Sequence, residues 1–245
     1  MRLFAKVSYK GTNYSGWQKQ PNCKTIQEEI ETQLSKYFNR PITIYGSGRT
    51  DAGVHAYGQT FHFDIDVNEI DLDRLLYSIN QMLPDDIKIL DIDEVDENTH
   101  ARFSAKGKIY SYTMLLMSKD PFLKDMVYLY PKKIDVNRLK EVLSHFEGKH
   151  NFKNFTSKEE DEDNFVREIY SIQVEDHEDL INITLYGSGF MRYMIRFIIG
   201  EALFVSEDES IDMSYIDDLL DENSERHVVT HKAPACGLNL INVIY

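Results

Sequence analysis

Residues 2–9, RLFAKVSY, place Leu3, Ala5, Val7 and Tyr9 at alternate positions. A period of two predicts a half-buried strand, because successive strand side chains point to opposite faces. The period changes in TIQEEIETQLSKYF (25–38), where Ile26, Ile30, Leu34 and Phe38 recur every four residues and Thr25 with Glu28 forms a capping-box pair. That pattern predicts an amphipathic helix beginning at Thr25. DLDRLLYSINQML (71–83) reads as a second helix, started by Asp71 and stopped by Pro84. DVNRLKEVLSHF (135–146) reads as a third, with Val136, Leu139, Leu143 and Phe146 on one face. GFMRYMIRFIIGEALF (189–204) is apolar nearly all round, the mark of a buried helix, and YIDDLL (215–220) sits in a short fifth. Strands are expected at ITIY (42–45), QTFHFDI (59–65), IKILDIDEV (87–95), KIYSYTMLLM (108–117) and LNLINVIY (238–245). VREIYSIQV (166–174) and LINITLYG (180–187) resemble a hairpin pair. Many strands are joined by turns rather than crossover helices, so the class is α+β with a mixed or antiparallel sheet. A soft division near residue 101 gives two halves, 1–101 and 102–245, and the acidic run KEEDEDN (158–164) reads as an exposed loop.

Composition adds bounds. A chain of 245 residues suits one large domain or two fused halves. MRLFAKVSYK has no apolar signal-peptide core, and no apolar run approaches membrane-spanning length, so neither a leader nor a membrane anchor is expected. Cys23 and Cys236 have no metal-site spacing and make no disulfide framework, which fits a reduced cytoplasm. The net charge of −14 speaks against a nucleic-acid partner, since phosphate binding needs a cationic surface. The charge is segregated, however. Residues 1–60 carry eight Lys and Arg against four Asp and Glu, and residues 102–153 carry eleven against five. The acids concentrate in 61–101 and 154–245. Either the segregation is accidental, or a basic face is backed by an acidic one.

Candidate chemistry centres on GSGRTDAGVHAYGQ (46–59), a glycine-rich stretch between two strand-like runs. A nucleotide-binding fingerprint would need a third glycine and a following helix; here Asp51 takes that place and a strand follows. An Asx-turn at Asp51 is the plain structural alternative. Arg49, two residues before Asp51, and His55 in the same stretch favour a functional loop.

GRTDAGVHA resembles the signature of the TruA family of tRNA pseudouridine synthases. SYKGTNYSGWQKQPNCKTIQEEIE, NQMLPDDIKI, HARFSAKGKIYSY, NFKNFT, GSGFMRYMIRFIIG and APACGLNLINVIY follow in the family's order, so the likeness covers nearly the whole chain. Phe197 after Arg196 and the acidic balance depart from the family pattern. The resemblance implies the pseudouridine synthase fold: two α/β-sandwich-like halves sharing a long, mainly antiparallel mixed sheet around a central RNA-binding cleft. It also implies a cytoplasmic homodimer acting on tRNA, with uridines 38, 39 and 40 of the anticodon stem-loop as targets. The reaction is an isomerisation without redox change, so no cofactor, nucleotide or metal is expected.

By the same resemblance Asp51 is the catalytic carboxylate. It acts as a nucleophile at ribose or base, or takes a ribose proton; the residues leave all three open. The target uridine must leave its stack. Arg49 would fill the gap or hold the adjacent phosphate, and His55 is a candidate RNA contact, set against a plain hydrogen-bonded histidine. Tyr110 matches the residue that stacks on the flipped base, and its hydroxyl would also help remove the carbon-5 proton; the alternative is core packing. Arg196 lies on the apolar helix, where a buried guanidinium needs a partner, and the family pattern supplies Asp51. Arg192, one turn earlier on the same face, reaches solvent or RNA. Lys19, Lys106 and Lys108 are candidate RNA-backbone contacts in the basic segments. A synthase with another uridine target or a non-catalytic RNA-binding relative would share these motifs. A glycoside hydrolase would need a second, paired carboxylate that the loop lacks.

Overall fold

The computed structural model describes residues 1–157 and 164–245. The acidic run read as an exposed loop falls, apart from Asn164, outside the described residues. The chain forms two compact units, Met1–Lys106 with Asn239–Tyr245, and Gly107–Leu238.

In the first unit β1 (Arg2–Tyr9) lies between β3 (His55–Asp64) and β4 (Ile87–Val95), antiparallel to both. A two-residue strand, β2 (Tyr45–Gly46), pairs with β3, and β10 (Leu238–Ile244) runs parallel to it with Asn239 opposite His55. The alternation in β1 holds: Leu3, Ala5, Val7 and Tyr9 are all buried. Helix α1 (Ile26–Phe38) is capped by Thr25, whose side chain accepts from the Glu28 N–H, and ends at Asn39 in the left-handed region. Helix α2 (Leu72–Met82) is capped by Asp71 and ends just before Pro84. Asn80 ties α2 to β4 by a reciprocal pair, donating to the Ile89 carbonyl and accepting from its N–H, both at 2.8 Å.

In the second unit β5 (Gly107–Leu116) pairs with β9 (Leu180–Gly187), β9 with β8 (Val166–His177), and β8 with β7 (Gly148–Asn151), all antiparallel. β6 (Tyr128–Tyr130) runs parallel to β5. Helices α3 (Val136–Ser144), α4 (Met194–Glu207) and α5 (Ser214–Leu220) complete it. Eleven of the fourteen residues of α4 are buried, as its apolar circumference requires. Both units are α+β with mainly antiparallel pairing, the expected class.

Four local expectations are corrected. Residues 42–44 are not strand: the Ile42 N–H donates to Ser35 Oγ, and Ile44 bonds through its N–H to Glu31 and through its carbonyl to Gln27. Side chains of α1 thus take backbone groups that a ladder would otherwise use. β3 starts at His55, four residues before its expected start, so His55 is a strand residue. α4 starts at Met194 because Tyr193 stands at φ 63°, outside helical geometry; Arg192 therefore precedes the helix rather than sharing a face with Arg196. The strands β6 and β7 carry too few residues to show a period.

Candidate active site

The Asp51 loop is fixed by the segment 9–17 of its own unit. Tyr9 OH lies 2.8 Å from Thr50 Oγ1 in the buried interior, and the Trp17 N–H donates to the Thr50 carbonyl at 3.1 Å. Burial raises the Tyr9 hydroxyl above its ordinary pKa, so it stays neutral and available for that bond. The Asp51 carbonyl accepts from the Val54 N–H at 3.1 Å, closing a turn in which Gly53 stands at φ 78°; the Gly53 N–H reaches the Tyr14 carbonyl. At the other end, Ser47 Oγ and the Gly48 carbonyl are both held by the Gln59 amide.

Glycines allow this close approach. Gly16 stands at φ 91°, and a Cβ there would sit 2.6 Å from the Thr50 carbonyl oxygen; a Cβ on Gly11 would sit 2.0 Å from that of Val54. Trp17, 2% exposed, packs between Tyr9 and Phe61, with Gly46 against its indole. The role of GTNYSGW as the seat of the loop was not legible in sequence, although two glycines five apart before the chain's only tryptophan were a usable signal. Gly16→Ala is expected to cost about 1–3 kcal/mol of stability, with a fall in turnover that persists well below its melting temperature. Denaturant unfolding and turnover at low temperature test this.

Asp51 itself is partly exposed and Arg49 is exposed; Arg49 Nε donates to Gln18 Oε1 at 3.2 Å. Gln18 donates in turn to Gln27, which also accepts from the Lys19 N–H. Arg49 and Lys19 are thereby brought onto one polar network beside the loop. The Lys19 ammonium is half exposed and lies 3.4 Å from the largely buried Glu31. His55 is 1% exposed, and its Nδ1 accepts from the Gly11 N–H at 3.0 Å, which makes it a hinge pin between the two motifs. Lys106 is exposed, with its N–H bonded to the Ile244 carbonyl.

The second unit carries the other candidates. Tyr110, on β5 opposite Leu185, is 7% exposed and meets Phe190 edge-on at 5.3 Å. Phe190, read from sequence only as part of an apolar helix, instead lies in the turn before α4 with its ring partly exposed. Lys108, opposite Gly187, is partly exposed on the same strand. Arg196 is half-buried rather than buried: its Nε donates to the Ala233 carbonyl at 2.8 Å and its guanidinium lies 5.4 Å from the Tyr193 ring. Arg192 at 4.8 Å and Lys232 at 4.3 Å approach the same ring. Three cations thus gather at the first turn of α4, which contains no acid. Like charges beside the positive end of a helix disfavour one another, so this end of the helix is electrostatically suited to an anion.

One unit thus carries a loop-borne carboxylate, and the other a cationic, aromatic patch. The family model for tRNA pseudouridine synthase matches residues 5–104 and 142–245. A tRNA pseudouridine synthase A of Geobacillus sp. (strain WCH70) is 38% identical over 250 residues, covering 100% of this chain and 98% of that one. The like-named protein of Ruminiclostridium cellulolyticum is 38% identical over 98% of this chain and 97% of its own. That of Streptococcus mutans is 35% identical over 100% and 99%. The chain belongs to the tRNA pseudouridine synthase family.

Proposed function

We propose that this chain isomerises uridine to pseudouridine in tRNA, at positions 38, 39 or 40 of the anticodon stem-loop, as a cytoplasmic homodimer. The observation that carries the reading is the Asp51 loop: one partly exposed carboxylate on a backbone held from both ends and from beneath. The reaction breaks the bond from ribose C1′ to uracil N1 and forms one from C1′ to C5. The C5 proton leaves and N1 gains a proton, so no electrons are exchanged and no cofactor is required. Asp51 is the group that assists the bond exchange. Fixing it beforehand avoids an orientational cost during reaction. The flipped base stacks on Tyr110, Arg49 takes the space it vacates, and Arg196 holds the Asp51 carboxylate in its charged form.

Tritium release from tRNA labelled at uridine C5, followed by mapping of the modified position, tests the function. Release with pseudouridine at 38, 39 or 40 is expected. Pseudouridine elsewhere would reassign the target, and no release from any tRNA would leave an RNA-binding protein.

Two sets of variants probe the RNA-facing residues. Tyr110→Ala is expected to weaken binding by about 1–3 kcal/mol through loss of stacking, whereas Tyr110→Phe should bind normally and turn over slowly. Full activity in the Phe variant would confine Tyr110 to stacking. For charge, replacing Lys19, Lys106 and Lys108 by Glu should weaken tRNA binding steeply and flatten its salt dependence by about one unit of slope for each phosphate no longer neutralised. Neutralising the acids of KEEDED should do far less; equal effects would make the charge segregation accidental.

A further inference from the structure

Glu201 is 1% exposed in the interior of α4, and its carboxylate is fully engaged. It accepts from the His231 N–H at 3.2 Å, from His231 Nδ1 at 3.0 and 3.1 Å, and from Tyr215 OH at 3.3 Å. A carboxylate only accepts, so His231 carries its proton on Nδ1. The imidazole lies flat on Phe204, ring centres 4.0 Å apart. A buried carboxylate is expensive for a fold, and an apolar residue would serve packing alone better.

The bonds of Glu201 all serve to place one segment. Residues 229–233 have no regular secondary structure and cross α4 as a strap. The Val229 N–H is bonded to the Asn154 carbonyl at one end. The strap touches the helix at Gly200, where a Cβ would stand 2.2 Å from the His231 carbonyl oxygen. At the other end Ala233 meets Arg196 twice: the Ala233 N–H donates to the Arg196 carbonyl at 2.9 Å, and Arg196 Nε donates to the Ala233 carbonyl at 2.8 Å. Lys232, between the two anchor points, is held over Tyr193.

We propose that Glu201 is a positioning residue: through His231 it clamps the 229–233 strap to α4, and the strap in turn fixes the direction of the Arg196 guanidinium and of Lys232. The consequence for turnover rests on the reading that Arg196 works at the reacting centre; the clamp itself does not. Gly200 belongs to the same device, because only a residue without a side chain lets the strap lie on the helix there.

The test uses the full chain with three variants, Glu201→Met, Glu201→Gln and Gly200→Ala. Its readouts are turnover, tRNA affinity, and the nitrogen–proton NMR signal of the Arg196 Nε–H group. Glu201→Met is expected to lower kcat about tenfold or more with tRNA affinity unchanged, to shift the Arg196 signal and to speed its exchange with water. Glu201→Gln keeps an oxygen acceptor for His231 and should recover most of both. Gly200→Ala should reproduce the Met phenotype without altering Glu201, which keeps the test sound if the Met variant folds poorly. On an Arg196→Met background, Glu201→Met should add almost nothing to the loss of kcat. An Arg196 signal unmoved in both Glu201→Met and Gly200→Ala overturns the clamp, as do losses that multiply in the double variant. A shifted signal with kcat intact supports the clamp and removes Arg196 from the reaction.

Discussion

Asp51→Asn is expected to reduce turnover by at least about 10³-fold, while tRNA affinity stays close to that of the unaltered protein. Asn matches Asp in size and still accepts a hydrogen bond, so the loop can keep its shape; what is lost is the charge and basicity of the carboxylate. The structure sharpens this with a second change. Asp51→Glu preserves the charge but adds a methylene. The turn that carries residue 51 is closed by Val54 and seated on Tyr14, while its neighbour Thr50 is bonded to Tyr9 and Trp17. Such a backbone cannot retreat to absorb the extra length. A displacement of about 1 Å can cost on the order of 10²-fold, so the Glu variant should also fall by about that much. Single-turnover measurements with saturating enzyme separate this chemical loss from binding. Turnover of the Asn variant within tenfold of the parent would take Asp51 out of the catalytic role. A Glu variant of full activity would instead show that the loop yields during reaction.

The parts legible in sequence were those set by local rules. Thr25 and Asp71 cap their helices as their types and spacing require, and Pro84 stops α2 on time. The alternation of β1 was readable because one face is buried and the other is not. Legibility failed where a distant group supplied the hydrogen bond. Ile42 and Ile44 look like a strand, but Ser35, Glu31 and Gln27 of α1 take their backbone groups. His55 looks like a loop residue among glycines, yet it opens β3 and accepts from Gly11, forty-four positions away. Tyr193 continues the apolar run that precedes α4, and only its positive φ shows that the helix has not begun. For the site, the motif letters marked Asp51, Arg49, Tyr110 and Arg196 by resemblance. They could not show that a carbonyl and an aromatic ring share the solvation of Arg196, because both arise from tertiary folding.

That shared solvation changes what Arg196→Met should do. Deleting the half-buried side chain takes the Nε donor from the Ala233 carbonyl, at a position that water already reaches. The variant should therefore fold, with a stability loss below the roughly 3–5 kcal/mol typical of breaking a buried pair. Its turnover should still fall by about 10²-fold or more, because the proposed role of Arg196 is to hold the Asp51 carboxylate charged. On that proposal, loss of the cation favours the protonated carboxylate, because a nearby positive charge favours the ionised form. Activity should then recover in part as the pH is raised, whereas the parent profile should be flat over the same range. Arg196→Lys retains charge but loses the planar fork that serves the Ala233 carbonyl and an anion together, so it should be intermediate. Coupling provides the decisive measurement. If the two residues act as a unit, Asp51→Asn combined with Arg196→Met should be more stable to denaturant than the sum of the single losses predicts, because neither charge is left behind. Strict additivity, together with a flat pH profile in Arg196→Met, would separate the two residues and leave Arg196 to an RNA phosphate, alongside Arg192 and Lys232 around the Tyr193 ring.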